Sequence, residues 1–508
     1  MLAKITSGCV VGLDGYRVDV EVDLSLGLPG FSIVGLPDAA VQESKERVRA
    51  ALTNCEFDLP VRRVTVNLAP GDIRKEGPCF DLPIAIGVLR AADASLAKAS
   101  DEYLIVGELS LDGEVKSVNG VLPLAVAAKS LGLKGMLLPR SNAREAAVVA
   151  GLRVIGVANL IDAVSFLSGE IEIAPAPATS LAAAGAGKSL GDFREVKGQE
   201  HAKRALEIAA AGGHNVLMIG PPGSGKSMLA RRLPGILPGM ELAEAVDVTR
   251  VYSVAGLLRG KPLVALRPFR APHHTISTAG LVGGGHHPRP GEVSLSHHGV
   301  LFLDEFAEFG KHVLQVLRQP MEDGSVTISR ASGVLTYPSK FMLVAAMNPC
   351  PCGYYGDRFK ECVCHTSKVR SYQSRVSGPI VDRIDLHVEV ARLRKDELVG
   401  KAHGEASGSI RARVEKARKI QNGRPVAAGI ALNSQLTGGD MERYCRLGGQ
   451  TSDFLSTAID KLCLSARGYD RILRVARTIA DLAGEAEITT PHVAEAVSYR
   501  SLDRSMVW

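Results

Sequence analysis

Apolar side chains recur with different periods in different stretches of the chain. GYRVDVEVDL (residues 15–24) and VRRVTVNLAP (61–70) alternate apolar and polar positions, which predicts half-buried strands. AAVQESKERVRAAL (39–52) and VLPLAVAAKSLGL (121–133) carry apolar residues at helical spacing, so the front of the chain reads as α+β. Residues 171–190, IEIAPAPATSLAAAGAGKSL, hold neither period and are rich in Ala, Pro and Gly, the composition of a linker. Beyond it, short apolar runs alternate with helical patterns and predict a parallel sheet covered on both faces. From about residue 395 the strand signal fades. GSIRARVEKARKIQ (408–421) and GYDRILRVARTIADLAG (468–484) predict amphipathic helices.

The apolar run Val216–Ile219 leads into Gly220, Pro221, Pro222, Gly223, Ser224, Gly225, Lys226 and Ser227, and a helical pattern follows. This is the phosphate-loop pattern in its strand–loop–helix setting. The glycines let backbone N–H groups turn towards phosphate oxygens, and the helix start adds partial positive charge. Lys226 is expected to reach the β- and γ-phosphates of ATP, and Ser227 to ligate Mg²⁺.

Two further buried runs end in polar residues. GVLFLDEF (299–306) ends in Asp304 and Glu305. Downstream of a phosphate loop, Asp304 is expected to hold Mg²⁺ and Glu305 to orient and deprotonate the attacking water. KFMLVAAMNPC (340–350) ends near Asn348, which can sense the γ-phosphate and hold that water; the plain alternative is a turn residue.

Composition narrows the setting. At 508 residues, about three domains are expected. Asp14, Arg17, Asp19, Glu21 and Asp23 interrupt any secretory pattern near the start. The most apolar stretch, Val121–Pro139, is broken by Lys129 and Lys134 and too polar for a membrane span. A soluble, cytoplasmic chain with no membrane partner is expected. Charge is uneven: residues 1–180 carry a net −5 and the remainder a net +11. A basic ATPase half suggests a polyanionic partner, with solvated surface charge as the bland alternative. Nine cysteines, an odd number in a large chain, argue against a disulfide framework.

Four of those cysteines, Cys350, Cys352, Cys362 and Cys364, form two Cys-x-Cys pairs beside His365. Two close pairs on a loop can close a tetrahedral structural Zn²⁺ site, bracing the chain between Asn348 and Arg383. Reduced free thiols or a redox-sensitive disulfide are the alternatives. Residues 267–298 hold six of the thirteen His, paired at 273/274, 286/287 and 297/298, with Arg267, Arg270 and Arg289. Their Gly- and Pro-rich spacing offers no rigid metal presentation, so a mobile hairpin on nucleic-acid phosphates is the better reading.

GPPGSGKS, VLFLDEF, AAMNPC, GPIVDRIDL and SARGYDRILRVARTIADLAG, in this order, resemble the magnesium-chelatase-like AAA+ ATPases, and within them the ComM, or YifB, family. The resemblance covers essentially the whole chain. It implies that Arg383 is an arginine finger acting in trans, that Arg474 is the sensor-2 arginine of a helical lid, and that the assembly is a homo-hexamer. It also implies that the insertion before the DE strand points into a central pore. VTISRASGVLTYP (326–338) resembles a second pore hairpin, with Arg330 and Lys340 as DNA contacts beside Arg270 and Arg289. Such contacts grip the backbone and carry little sequence information.

Residues 76–90 and 107–140 resemble the Lon-protease-like fold, shared with part of a ribosomal protein. Cys79 stands at the position of the protease serine and Leu122 where the lysine is expected. Without that lysine no base activates a nucleophile. The expected architecture is therefore multidomain: a non-proteolytic α+β Lon-protease-like domain (1–170), the linker (171–190), a central α/β AAA+ P-loop NTPase core with pore hairpins and the Cys cluster (191–394), and a C-terminal α-helical lid (395–508). The expected function is an ATP-driven DNA helicase or translocase in branch migration and recombination of imported strands, as in natural transformation. The rival is a chelatase-like motor subunit that remodels a protein partner and binds no DNA.

Overall fold

The computed structural model describes residues 2–58, 61–181, 191–285, 288–330, 333–376, 378–393, 404–426, 432–462 and 464–500. By contact the chain divides into two units. One comprises Met1–Ala186 with Glu241–Ala265, the other Gly187–Met240 with Leu266–Trp508.

The first unit is α+β. The strand Asp14–Ser25 pairs antiparallel with Leu2–Val11 and with Arg63–Ala69, and Gly30–Val34 joins Arg63–Ala69 in parallel. Val18, Val20, Val22 and Leu24 are buried while their alternating neighbours are not, which is the period-two pattern of residues 15–24 made physical. A second, parallel sheet orders Tyr103–Ile105, Gly135–Pro139 and Arg153–Val157. The helix Val121–Ser130 lies where helical spacing predicted it.

Residues 241–265, inside the stretch expected to form the ATPase core, pack with this first unit. The reason is a set of polar ties to their helix, Leu242–Val254. Ser253 Oγ donates to the buried Glu145 carboxylate at 2.5 Å, and Gly120 N–H donates to the Ser253 carbonyl at 3.2 Å. Arg250 pairs with Asp14 at 2.8 Å.

The second unit is built on a five-stranded parallel sheet. Its spatial order is Phe269–Arg270, Val300–Leu303, Met342–Met347, Val216–Ile219, Leu386–Glu389. Every residue of the three middle strands is buried, as expected for strands covered on both faces. Helix Glu200–Gly212 packs on this sheet. Helices Ser407–Asn422 and Ala466–Ala483 share its core through Ile410, Val414, Ile472, Val475 and Ile479. Two antiparallel hairpins lie in the fold's connections: Gly283–Gly284 with Arg289–Pro290, and Ser325–Arg330 with Gly333–Pro338. Among the described residues no helix is long and apolar enough to cross a membrane.

Candidate nucleotide site

The loop after Val216–Ile219 turns at Gly223 and Gly225, whose φ values of +76° and +96° suit glycine. Gly220 has a different constraint: a Cβ there would lie 2.1 Å from the Val390 carbonyl oxygen. Lys226 begins the following helix and is buried. Its ammonium donates to the carbonyls of Gly220 (2.7 Å) and Pro221 (2.9 Å) and to Asn348 Oδ1 (3.3 Å). Burial pushes the lysine pKa down to about 8, and the Asp304 carboxylate pulls the other way.

The three middle strands deliver their C-terminal residues to this loop. Ser227 Oγ donates to Asp304 Oδ2 at 2.6 Å. A hydroxyl and a carboxylate oxygen in contact are a hard donor set of the kind Mg²⁺ takes. Asp304 Oδ1 accepts from the N–H of Glu305 at 3.0 Å. Glu305 has φ +52°, a left-handed conformation uncommon for this residue type and recurrent at functional sites. Its Oε2 lies 3.2 Å from His274 Nδ1. The sequence offered no signal for that pairing, because His274 stands 31 residues earlier in the His-rich insertion.

Arg383 and Arg474 lie on other elements of the same unit. Arg383 is buried; Nη1 donates to the Pro379 carbonyl at 2.6 Å and Nη2 pairs with Glu322. Arg474 projects from helix Ala466–Ala483. The Nε atoms of both are buried and, among the described residues, have no hydrogen-bond partner. A network that sequence reading missed connects their elements. Asp385 accepts from the Asn215 N–H at 2.9 Å and pairs with Arg471, of the Arg474 helix, at 3.1 Å.

The expected DNA contacts diverge. Arg289 and Lys340 are exposed. Arg270 is instead held in a two-point ion pair with Glu292, both contacts at 2.6 Å. The side chain of Arg330, and His286 with His287, lie outside the described residues. His297 is buried and its pKa is pushed down to about 3 by that burial, with His298 and Lys340 adding to the effect. Its neutral Nδ1 accepts from the Lys340 N–H at 3.0 Å, a structural use of the ring.

The four clustered cysteines do converge. Sγ separations are 3.3 Å for Cys350–Cys352, 3.5 Å for Cys352–Cys362 and 3.7 Å for Cys350–Cys362, and all four sulfurs lie within 4.8 Å of one another. Four sulfurs so gathered fit the soft tetrahedral set that Zn²⁺ takes. The loop abuts the phosphate loop: a Cβ on Gly353 would lie 2.5 Å from Pro222 Cδ.

Comparison with known proteins bears on this arrangement. The chain is 45% identical to the competence protein ComM of Haemophilus influenzae, across 99% of this chain and 98% of that protein. The chain belongs to the ComM/YifB family of magnesium-chelatase-like proteins. It is also 40% identical to YifB of Escherichia coli over its full length and 98% of that protein. Family models described as "Magnesium chelatase, subunit ChlI", "Subunit ChlI of Mg-chelatase" and "Magnesium chelatase, subunit ChlI C-terminal" match residues 192–398, 20–142 and 404–500. The likeness to a magnesium-chelatase 38 kDa subunit, from Cereibacter sphaeroides, is more distant: 27% identity over 31% of this chain and 52% of that protein. Membership of this family and the parallel sheet agree in making the protein one of the AAA+ class.

Proposed function

We propose that the protein is an ATP-hydrolysing ring motor that moves along DNA, a helicase or branch-migration translocase serving recombination of imported strands. The observation that carries the ATPase reading is the convergence of Lys226, Ser227, Asp304 and Asn348 through contacts of 2.6–3.3 Å at the ends of adjacent parallel strands. Lys226 trades its carbonyl partners for the β- and γ-phosphate oxygens of ATP. Glu305 takes the proton of the attacking water, and Asn348 holds that water against the γ-phosphate. Ser227 and Asp304 hold Mg²⁺, which when bound supplies charge neutralisation at the phosphates. Arg383 serves the site of a neighbouring copy in a homo-hexamer, and Arg474 reads the nucleotide from the helical lid; their unpartnered Nε atoms support both roles.

The Cys350–Cys364 loop holds structural Zn²⁺ and braces the phosphate loop. The front domain is a Lon-protease-like platform without proteolysis. In support of that, Leu122 is a buried core residue, and burial pushes the Cys79 thiol far above its ordinary range.

The DNA step draws on the net +11 of residues 181–508, on the exposed Arg289 and Lys340, and on the competence assignment carried by the Haemophilus relative's name. ATP turnover is measured with and without single-stranded and branched DNA, and binding is followed against salt. Log affinity is expected to fall linearly with log salt, by about 0.7–0.9 per contacted phosphate. Substituting Arg289, Arg330 or Lys340 shrinks that slope without changing sequence preference. Absence of DNA binding at low salt with a non-hydrolysable nucleotide favours the second reading, a chelatase-like motor remodelling a protein. That reading draws on the two chelatase-subunit models across residues 192–398 and 404–500.

A further inference from the structure

Arg383 shares a groove with a second arginine. The groove, about 450 Å³, is lined by Gln315, Arg318, Gln319, Glu322, Asp323 and Arg383 among others. Arg318 makes no hydrogen bond or ion pair with any described residue, and its Nε is buried without a partner. A guanidinium with its Nε buried and unpartnered is costly in a partly desolvated site, and its planar fork of donors suits phosphate oxygens. Of the two carboxylates on the groove, Glu322 is spent on Arg383 and Asp323 is exposed. Arg318 is therefore the cation left without a counter-ion.

The groove's lining includes no residue of the phosphate loop and neither Asp304 nor Glu305. The pair of arginines thus lines a groove that shares none of these residues with the chain's own nucleotide site. A ligand with several closely spaced anionic oxygens can engage both at once and displace Glu322 from Arg383. A nucleotide triphosphate held by a second copy of this chain has that chemistry.

We infer that Arg318 is a second catalytic cation, acting with Arg383 in trans on the polyphosphate of a neighbouring copy's nucleotide, with Glu322 occupying Arg383 until that phosphate arrives. The inference rests on the ring reading above. It adds a residue to which neither the motifs nor the resemblance assigns a role.

Mixed-subunit assays of the full chain test it. Arg318→Ala alone is expected to bind a fluorescent ATP analogue with unchanged affinity, which also reports an intact fold. Its kcat is expected to fall about 10²-fold, the usual loss for one donor aimed at transition-state charge. Arg318→Lys is expected to recover only part, because a point charge replaces a fork. Mixing Arg318→Ala with Lys226→Ala protein places an intact phosphate loop against an intact arginine face, so activity should return. Mixing Arg318→Ala with Arg383→Ala leaves every interface one arginine short, so none should return. Recovery of Lys226→Ala with Arg383→Ala, but not with Arg318→Ala, overturns the role of Arg318 and leaves the ring reading standing. Recovery in neither mixture overturns the ring reading and this inference with it. An Arg318→Ala protein as active as the parent also overturns it.

Discussion

Ser227 Oγ and Asp304 Oδ2, 77 residues apart in sequence, stand 2.6 Å from each other. The hydroxyl begins a helix and the carboxylate ends a strand, and the parallel sheet brings both to one edge. If these two oxygens share Mg²⁺, removing either should act through the metal. Ser227→Ala and Asp304→Asn are expected to raise the Mg²⁺ concentration needed for half-maximal turnover and to lower kcat at least 10-fold. ATP affinity in EDTA should barely change. A Mg²⁺ titration of turnover beside binding in chelator checks this, and an unchanged titration in both variants removes the metal assignment.

Lys226 and Glu305 differ in what they can contribute. On the proposed reading, the buried ammonium of Lys226 supplies charge to the ground state and the strand-end carboxylate of Glu305 acts on water. Lys226→Ala is expected to abolish nucleotide binding. Glu305→Gln should keep binding and lower steady-state turnover by about 10²-fold or more. Equilibrium binding and hydrolysis on both proteins separate the roles, and normal turnover in Glu305→Gln contradicts the base assignment.

Sulfur atoms within 4.8 Å of one another on Cys350, Cys352, Cys362 and Cys364 set a stoichiometry. Protein purified without added metal is expected to carry about one equivalent of zinc per chain. Cys362→Ser with Cys364→Ser should lose it and melt several degrees lower, since thiolates favour this ion. Elemental analysis decides the point: zinc content unchanged by the double substitution excludes the site.

Asp385 carries a pH prediction. Burial alone would raise its pKa, but the contacts with His214, Arg471 and the Asn215 N–H hold it well below the ordinary value of 3.8. A carboxylate with a depressed folded pKa stabilises the fold above its unfolded pKa and loses that contribution as pH falls through the folded one. Stability should therefore drop as pH falls below about 4, the unfolded aspartate value. Asp385→Asn strands Arg471 and is expected to cost about 3–5 kcal/mol at neutral pH. Adding Arg471→Met should restore part of it and flatten the acid slope. Denaturant unfolding from pH 7 to pH 3 tests both; parallel acid slopes in the parent and the double variant rule the pair out as the source.

Local information settled much of this protein in advance. The alternation at residues 15–24, the buried run at Val300–Leu303 and the glycines at 223 and 225 depend on neighbours in sequence, and each took its expected form. The turn at Gly223 and Gly225 was legible for the same reason, since it depends on consecutive backbone groups. Contacts across the fold were not legible. His274 meets Glu305, Asp385 meets Arg471, and Arg318 joins Arg383 at one groove through packing between distant segments. Arg270 looked as free to bind phosphate as Arg289 until Glu292 was seen to occupy it. Residues 241–265 read as part of the ATPase core, yet Glu145 and Asp14 tie them to the front unit. Periodicity reports which face of an element is buried. Which charge finds which partner is decided only when the elements meet, because an ion pair or hydrogen bond is a property of distance and desolvation, and neither is written in the order of residues.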